Sequence, residues 1–208
     1  MPRLPIPPTK SNLLEVRHQL AFATEGYDLL EQKRRILLVE LLTRARSCHE
    51  AERTALDALA KARTTLREAL LDAGADAIDA AAVGVGPGPD VTLGTERVMG
   101  LSLPRASVAE TRPTPRFGPV GATARTHEAM ERFREALPCW IRYAERETAV
   151  LRLSHELAKT QRRCNALSRL FIPTYRDTVS YIASTLEERE RESIALLKRI
   201  RHAKPAPG

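Results

Sequence analysis

SNLLEVRHQLAFATEGYDLLEQKRRILLVELL, residues 11–42, contains no proline and a single glycine. Stepping alternately three and four residues from Leu13 gives Leu13, Val16, Leu20, Ala23, Tyr27, Leu30, Arg34, Leu37 and Leu41. Only Arg34 departs from the apolar stripe. A mean period of three and a half residues marks a helix that buries a narrow seam against another helix. The helical composition continues to residue 72, with a further stripe at Leu56, Leu59, Leu66 and Leu70 that is out of step with the first. Ser11 is the natural N-cap, because the preceding MPRLPIPPTK is too rich in proline to be helical. The sequence therefore predicts an extended lead-in over 1–11 and a seam-bearing helix over 12–72.

Residues 73–122 read differently. They hold eight of the ten glycines and six of the fourteen prolines. VGVGPGPD and RPTPRFGPVG are turn or loop segments by composition. Between them VTLGTERVMGLSLPRASV carries short β-capable pieces suited to a hairpin. The helical pattern resumes over 123–203, with Thr123 or Thr126 as caps, and a short tail follows at 204–208. One C-terminal seam runs through Leu137, Ile141, Leu151, Arg162, Asn165 and Ile172, and a second stripe beside it runs through Val150, Leu153, Leu157, Cys164, Leu167 and Phe171. Beyond Pro173 the pattern continues through Val179, Ile182 and Leu186. Pro138 and Pro173 are expected to kink this helix, not to end it, since the apolar period survives across both. At 1.5 Å per residue the two helices would run to roughly 90 and 120 Å, too long for a compact body of this size. The expected architecture is all-α: a long antiparallel two-helix coiled coil with a small irregular, short-helix or β-hairpin insert, a knob, at one end.

The chain has 208 residues and a formal net charge of +7, carried mainly by arginine. That balance admits an acidic partner, but an aromatic content of 4% is too low for the stacking platforms of single-strand nucleic-acid binders. Cys48, Cys139 and Cys164 are far apart and odd in number, so they build neither a disulfide framework nor a zinc spacing. No apolar run approaches the ~18 residues of a membrane span. His18, His49, His127, His155 and His202 are scattered. HEAME at 127–131 is not the metalloprotease HExxH, because Glu131 stands where the second histidine belongs. Gly84, Gly86 and Gly88 are not followed by Lys-Ser/Thr, and Pro89 replaces the opening of a helix, so a phosphate loop is not formed. Nothing in the pattern is catalytic.

Basic clusters remain: Lys33, Arg34 and Arg35; Arg44 and Arg46; Arg162 and Arg163; and Lys198, Arg199 and Arg201 near the C-terminus. A solvated helix face is the ordinary reading of such runs. The alternative is that they present guanidinium groups to acidic loops of a partner, which arginine does better than lysine. Asn165 and Arg162 on a seam have the character of polar residues that fix register at some expense in stability.

Five blocks of sequence, taken in order, resemble a known family. PTKSNLLEVRHQL (8–20), AFATEGYDLLEQKRRILLVEL (21–41), VMGLSLP (98–104), TQRRCNALSRLFIP (160–173) and LEERERESIALLKRIR (186–201) are similar to the characteristic runs of the D subunit of the V-type and A-type rotary ATPases. Within VMGLSLP the matching residues are Met99, Gly100 and Pro104. The resemblance implies a non-catalytic central rotor shaft without a cofactor. It also implies partners: the alternating A and B subunits around the coil tip, the stalk's F subunit at the knob end, and the rotor-cap subunit that links to the membrane ring. The implied place is peripheral, on the cytoplasmic side of a membrane, with no direct membrane insertion and no nucleic acid. Lys33, Arg34, Arg35, Arg162, Arg163, Lys198, Arg199 and Arg201 are the candidate partner contacts. Leu20, Tyr27, Leu30, Leu37, Leu41, Asn165, Ile172, Pro173, Val179, Ile182 and Leu186 are the candidate seam and register residues. The chain departs from the family pattern at Glu31, Arg35, Cys164 and Ser168, and in the short tail after Lys204. The rival reading is a coiled-coil stalk of another ATPase-driven assembly, such as a secretion or flagellar export apparatus.

Overall fold

The structure is a computed structural model that describes residues 3–84, 90–109 and 123–203. In chain order its elements are α1 (Lys10–Ala73), α2 (Ala75–Val83), β1 (Val91–Val98), β2 (Leu101–Val108), α3 (Ala124–Ala166), a π-turn (Leu167–Phe171) and α4 (Ile172–Ala203). Gly86, Gly88, Pro89, the RPTPRFGPVG segment, Lys204 and the tail lie outside the described residues. The chain is mostly helical, two long helices packing together with the hairpin insert between them in sequence. It divides into two compact units, residues 1–36 with 158–208, and residues 37–157.

The seam of α1 is longer than the leucines suggest. The three-four step from Leu13 does not break at Leu41 but continues through Arg44, Cys48, Ala51, Ala55, Ala58, Ala62, Thr65 and Ala69. Every residue on that stripe is buried or half-buried. Of the expected second stripe, Leu59 and Leu66 are half-buried, but Leu56 and Leu70 are exposed while Ala55, Ala62 and Ala69 are sealed. Small side chains at these positions let neighbouring helices come close, and the leucines flank the contact instead of filling it. The start of α1 also differs: its cap is Thr9, not Ser11. Thr9 Oγ1 accepts from the Asn12 backbone N–H at 3.2 Å, and the Asn12 side chain donates to the Pro7 carbonyl at 2.8 Å. Gly74, at φ 82°, ends the helix.

In the unit of residues 37–157, α1 and α3 pack with β2 around one small core. Leu37, Leu103, Ala149 and Leu153 are buried there, with Leu41, Val98, Leu101 and Leu157 packed against them. The hairpin is a tight one. Val98 pairs with Leu101, so Met99 and Gly100 form the whole turn, at φ 51° and 79°. Positive φ at both central residues is the type I′ turn that matches the twist of the strands. Pro104 pairs with Thr95, which by alternation from Val98–Leu101 is a non-hydrogen-bonded position, so the missing N–H costs the ladder nothing. The insert does not stay at the end of α1, where a knob was expected. Its helix α2 lies near Leu66, Met130 and Phe133, but the hairpin reaches back to Leu37, near the middle of α1. Arg152 Nη1 holds it there by donating to the Ser102 carbonyl at 2.6 Å.

Leu37 is fully buried whereas Val39, two residues on, is 65% exposed. Leu37→Asp is expected to lower stability by more than the ~2–5 kcal/mol of a buried Leu→Ala change, because a carboxylate is left without a partner. Val39→Asp should stay within ~0.5 kcal/mol of the parent. Urea unfolding followed by far-UV circular dichroism distinguishes the two, and equal effects would refute the packing face assigned to α1.

Candidate functional site

TQRRCNALSRLFIP, residues 160–173, folds as the end of α3, the π-turn and the first turn of α4. The Ile172 N–H donates to the Leu167 carbonyl, five residues back instead of four. Pro173 follows at once and has no N–H to donate. A wide turn takes up one extra residue. The buried row carries across it, for Cys164 and Thr178, two heptads apart, are both buried, and so is Ile182 four residues on. Beside the turn lies an apolar groove of about 570 Å³, lined by Phe22, Gly26, Leu29, Leu167, Phe171 and Tyr175 among others.

The packing face of α3 and α4 is the second of the two expected stripes. Ala149, Leu153, Thr160 and Cys164 are buried, and so are Thr178 and Ile182 beyond the turn. Arg162 and Asn165 are exposed, as is Leu151, so neither polar residue lies in the seam as expected. Large apolar side chains misled the periodicity here, since the residues that seal the contact include two threonines and an alanine. Ile172, Pro173, Val179 and Leu186 are half-buried, and on α1 so are Leu20, Tyr27, Leu30 and Leu41.

The arginine clusters divide by burial. Arg34 turns inward: Nη1 donates to Gln161 Oε1 at 2.8 Å, and Nη2 donates to Glu31 Oε1. Arg35 Nε lies 3.7 Å from the same Glu31 carboxylate, with its side chain mostly in solvent. Lys33 is half-buried. Arg162, Arg163, Lys198, Arg199 and Arg201 are all exposed. The hydrogen bond from Arg34 holds the Glu31 carboxyl below the usual carboxylate range.

A further set of contacts has no periodic signal to announce it. The proline-rich lead-in lies along α4. The Arg3 guanidinium stacks 4.9 Å from the Tyr181 ring centroid, and the Leu4 N–H donates to Thr178 Oγ1 at 3.2 Å. Farther along, Arg189 Nη1 donates to the Pro8 carbonyl at 3.2 Å, and Lys10 Nζ pairs with Glu190 at 2.8 Å. Only the absence of helix potential in MPRLPIPP hinted that this segment would do something else. Among the described residues no group of His, Cys, Asp and Glu is placed to hold a metal, and no helix is long and apolar enough to cross a membrane.

The family model for the ATP synthase D subunit matches residues 12–202. The chain belongs to that family. It is 42% identical over 97% of its length to the V-type ATP synthase D subunit numbered 2 in Treponema pallidum, covering 97% of that protein. To the V-type ATP synthase D subunit of Thermus thermophilus it is 40% identical over 94% of its length and 87% of the relative. The A-type ATP synthase D subunit of Pyrococcus horikoshii is 33% identical over 95% of this chain and 94% of the relative. As a D subunit it is the central-stalk rotor component of a V/A-type ATP synthase, and the secretion or flagellar stalk drops out as a rival. The family blocks fall on distinct structural features: the α1 seam, the Met99–Gly100 turn, the π-turn with Pro173, and the exposed end of α4.

Two expectations follow from these side chains. The depressed Glu31 and Glu190 carboxyls, each held down by hydrogen bonding to its cation, stabilise the fold fully above the ordinary carboxylate pKa and lose that effect as pH falls through their lowered values. The stability difference between the parent and Glu31→Gln should therefore be complete at about pH 6 and vanish well below ~pH 4. Melts across that range check it, and a difference that grows on acidification would refute the pairing. Cys164 is buried and its thiol is pushed up by burial, so a maleimide should modify Cys139 in the folded protein while sparing Cys164 until denaturant is added. Peptide mapping reads the order.

Proposed function

We propose that this chain carries torque between the membrane ion-translocating ring and the catalytic ring of A and B subunits, and does no chemistry itself. The observation that supports it best is the unbroken seam from Leu13 to Ala69. A shaft must resist twisting, and a sustained knobs-into-holes contact supplies that stiffness along the whole of a helix. The proposed arrangement follows the expected divisions. The helical segments 12–72 and 123–203 form the shaft, and the 73–122 insert faces the F subunit and the rotor-cap subunit. The tip is directed toward the A and B subunits, leaving the chain peripheral to the membrane on its cytoplasmic side.

The exposed cations give the reading its residues. Arg162 and Arg163 project to solvent just before the π-turn, and Lys198, Arg199 and Arg201 do so on the last turns of α4. That part of α4 continues beyond the level at which Lys10 meets Glu190, and Ile194, Leu197 and Ile200 are exposed on it. An apolar and basic helix end of this kind suits an acidic-rimmed collar in the A/B ring. The π-turn supports the mechanical side of the proposal, because the widened turn interrupts the uniformity of the helix, and Leu170 and Phe171 face outward there. Chemically equivalent partners then meet unequal surfaces as the shaft turns.

Replacing Lys198, Arg199 and Arg201 together with Ala should leave co-purification with the F subunit unchanged and lower the number of ions moved per ATP several-fold, while uncoupled hydrolysis persists. Reconstituted vesicles with a pH- or ion-sensitive dye measure this. Undiminished coupling in the triple variant would remove these residues from the A/B contact. Failure of the parent chain to co-purify with A, B and F subunits would overturn the shaft itself.

A further inference from the structure

Arg34 occupies a seam position, between Leu30 and Leu37 on the α1 stripe. It is a half-buried charge, its side chain 34% exposed, in a row that is otherwise apolar back to Leu13. Its guanidinium bridges two helices: Nη2 to Glu31 on α1 and Nη1 to Gln161 on α3. Gln161 is itself oriented, since its Nε2 donates to Asn165 Oδ1 at 2.9 Å. The chain Glu31–Arg34–Gln161–Asn165 therefore crosses the seam as one hydrogen-bonded ladder. The ladder is incomplete in one respect. Arg34 Nε is buried and has no hydrogen-bond partner.

An unpaired buried donor on a half-buried charge destabilises, relative to an apolar residue of the same length. What the arrangement gains is position. Apolar seam residues recur every seven, so a two-helix coil tolerates a slip of one heptad with little change in what meets what. Arg34 does not tolerate it. The residues seven before and seven after Gln161 are Ser154 and Ser168, both too short to reach across to the guanidinium. We infer that the Glu31–Arg34–Gln161–Asn165 ladder is a register pin, fixing the axial alignment of α1 against the C-terminal helix at the expense of stability. Asn165 thus acts on register from outside the seam, by holding the Gln161 amide in the accepting orientation. The pin depends on the coil's own chemistry and stands whether or not the chain is a torque shaft.

The test is a distance measurement on the full chain. Nitroxide labels at Glu25→Cys and Arg169→Cys, both exposed positions, are placed in a background with Cys48→Ala and Cys139→Ala. Pulsed dipolar spectroscopy should give one narrow distance in that parent. In Arg34→Met a second population should appear, displaced along the axis by about one heptad, or ~10 Å. Helix content should be unchanged. The triple variant Glu31→Leu/Arg34→Met/Gln161→Leu strips the ladder without leaving Glu31 unpaired, and it should show the same split with a thermal midpoint equal to or above the parent's. A single narrow distance at the parental value in both variants overturns the pin. Broadening that comes only with lost helicity and a lowered midpoint overturns it equally, because Arg34 would then be an ordinary stabilising contact.

Discussion

The contact on which the rest of the structure depends is the stripe of α1 residues spaced alternately three and four apart. Its members are modest one by one: leucine and valine toward the N-terminus, alanine toward the C-terminus. What they share is phase. A helix of this length has little stability of its own beyond propensity, and in proteins the packed face supplies most of it. Any residue that breaks the phase must therefore be dealt with locally. Arg34 is met by Glu31 and Gln161. Arg44 is met by Glu40 on its own helix and lies 4.0 Å from Glu96 of the hairpin.

The partner helix keeps phase differently. Its sealed positions include Ala149, Leu153, Thr160 and Cys164 before the π-turn, then Thr178 and Ile182 after it. Proline explains why the adjustment sits where it does. Pro173 cannot donate to a carbonyl four residues back and its ring crowds that carbonyl, so the widened turn directly before it relieves a conflict the sequence itself creates. The result leaves Phe171 and Leu170 outward beside the apolar groove. Mechanical roles need such unevenness, because a uniform rod would present the same surface at every angle.

Charge in this molecule does two kinds of work that composition does not separate. Some arginines fasten one part of the chain to another: Arg34 to Gln161 from a half-buried position, and Arg146 to the Ser47 carbonyl, Arg152 to the hairpin backbone and Arg189 to the lead-in from exposed ones. Others, including Arg162, Arg163 and Arg199, are also exposed. Guanidinium suits both tasks, since it stays charged and offers several donors in a fixed fork. A helix face alone does not say which task a given arginine has.

The sequence by itself determined the helical class, the first half of the α1 seam and the family, and it allowed a hairpin in the insert, because heptad spacing, β-capable runs and ordered motif blocks are local and survive reading one residue at a time. It misplaced Leu56 and Leu70, and it put Arg162 and Asn165 in the seam, because apolar size was followed where close helix approach selects alanine and threonine. Only the tertiary structure decided that Arg34 points inward, that the lead-in lies along α4, and that the hairpin reaches back to Leu37. Each of those depends on which residues far apart in the chain come level with one another. That alignment is set by the packed helices together, and no single stretch of sequence carries it.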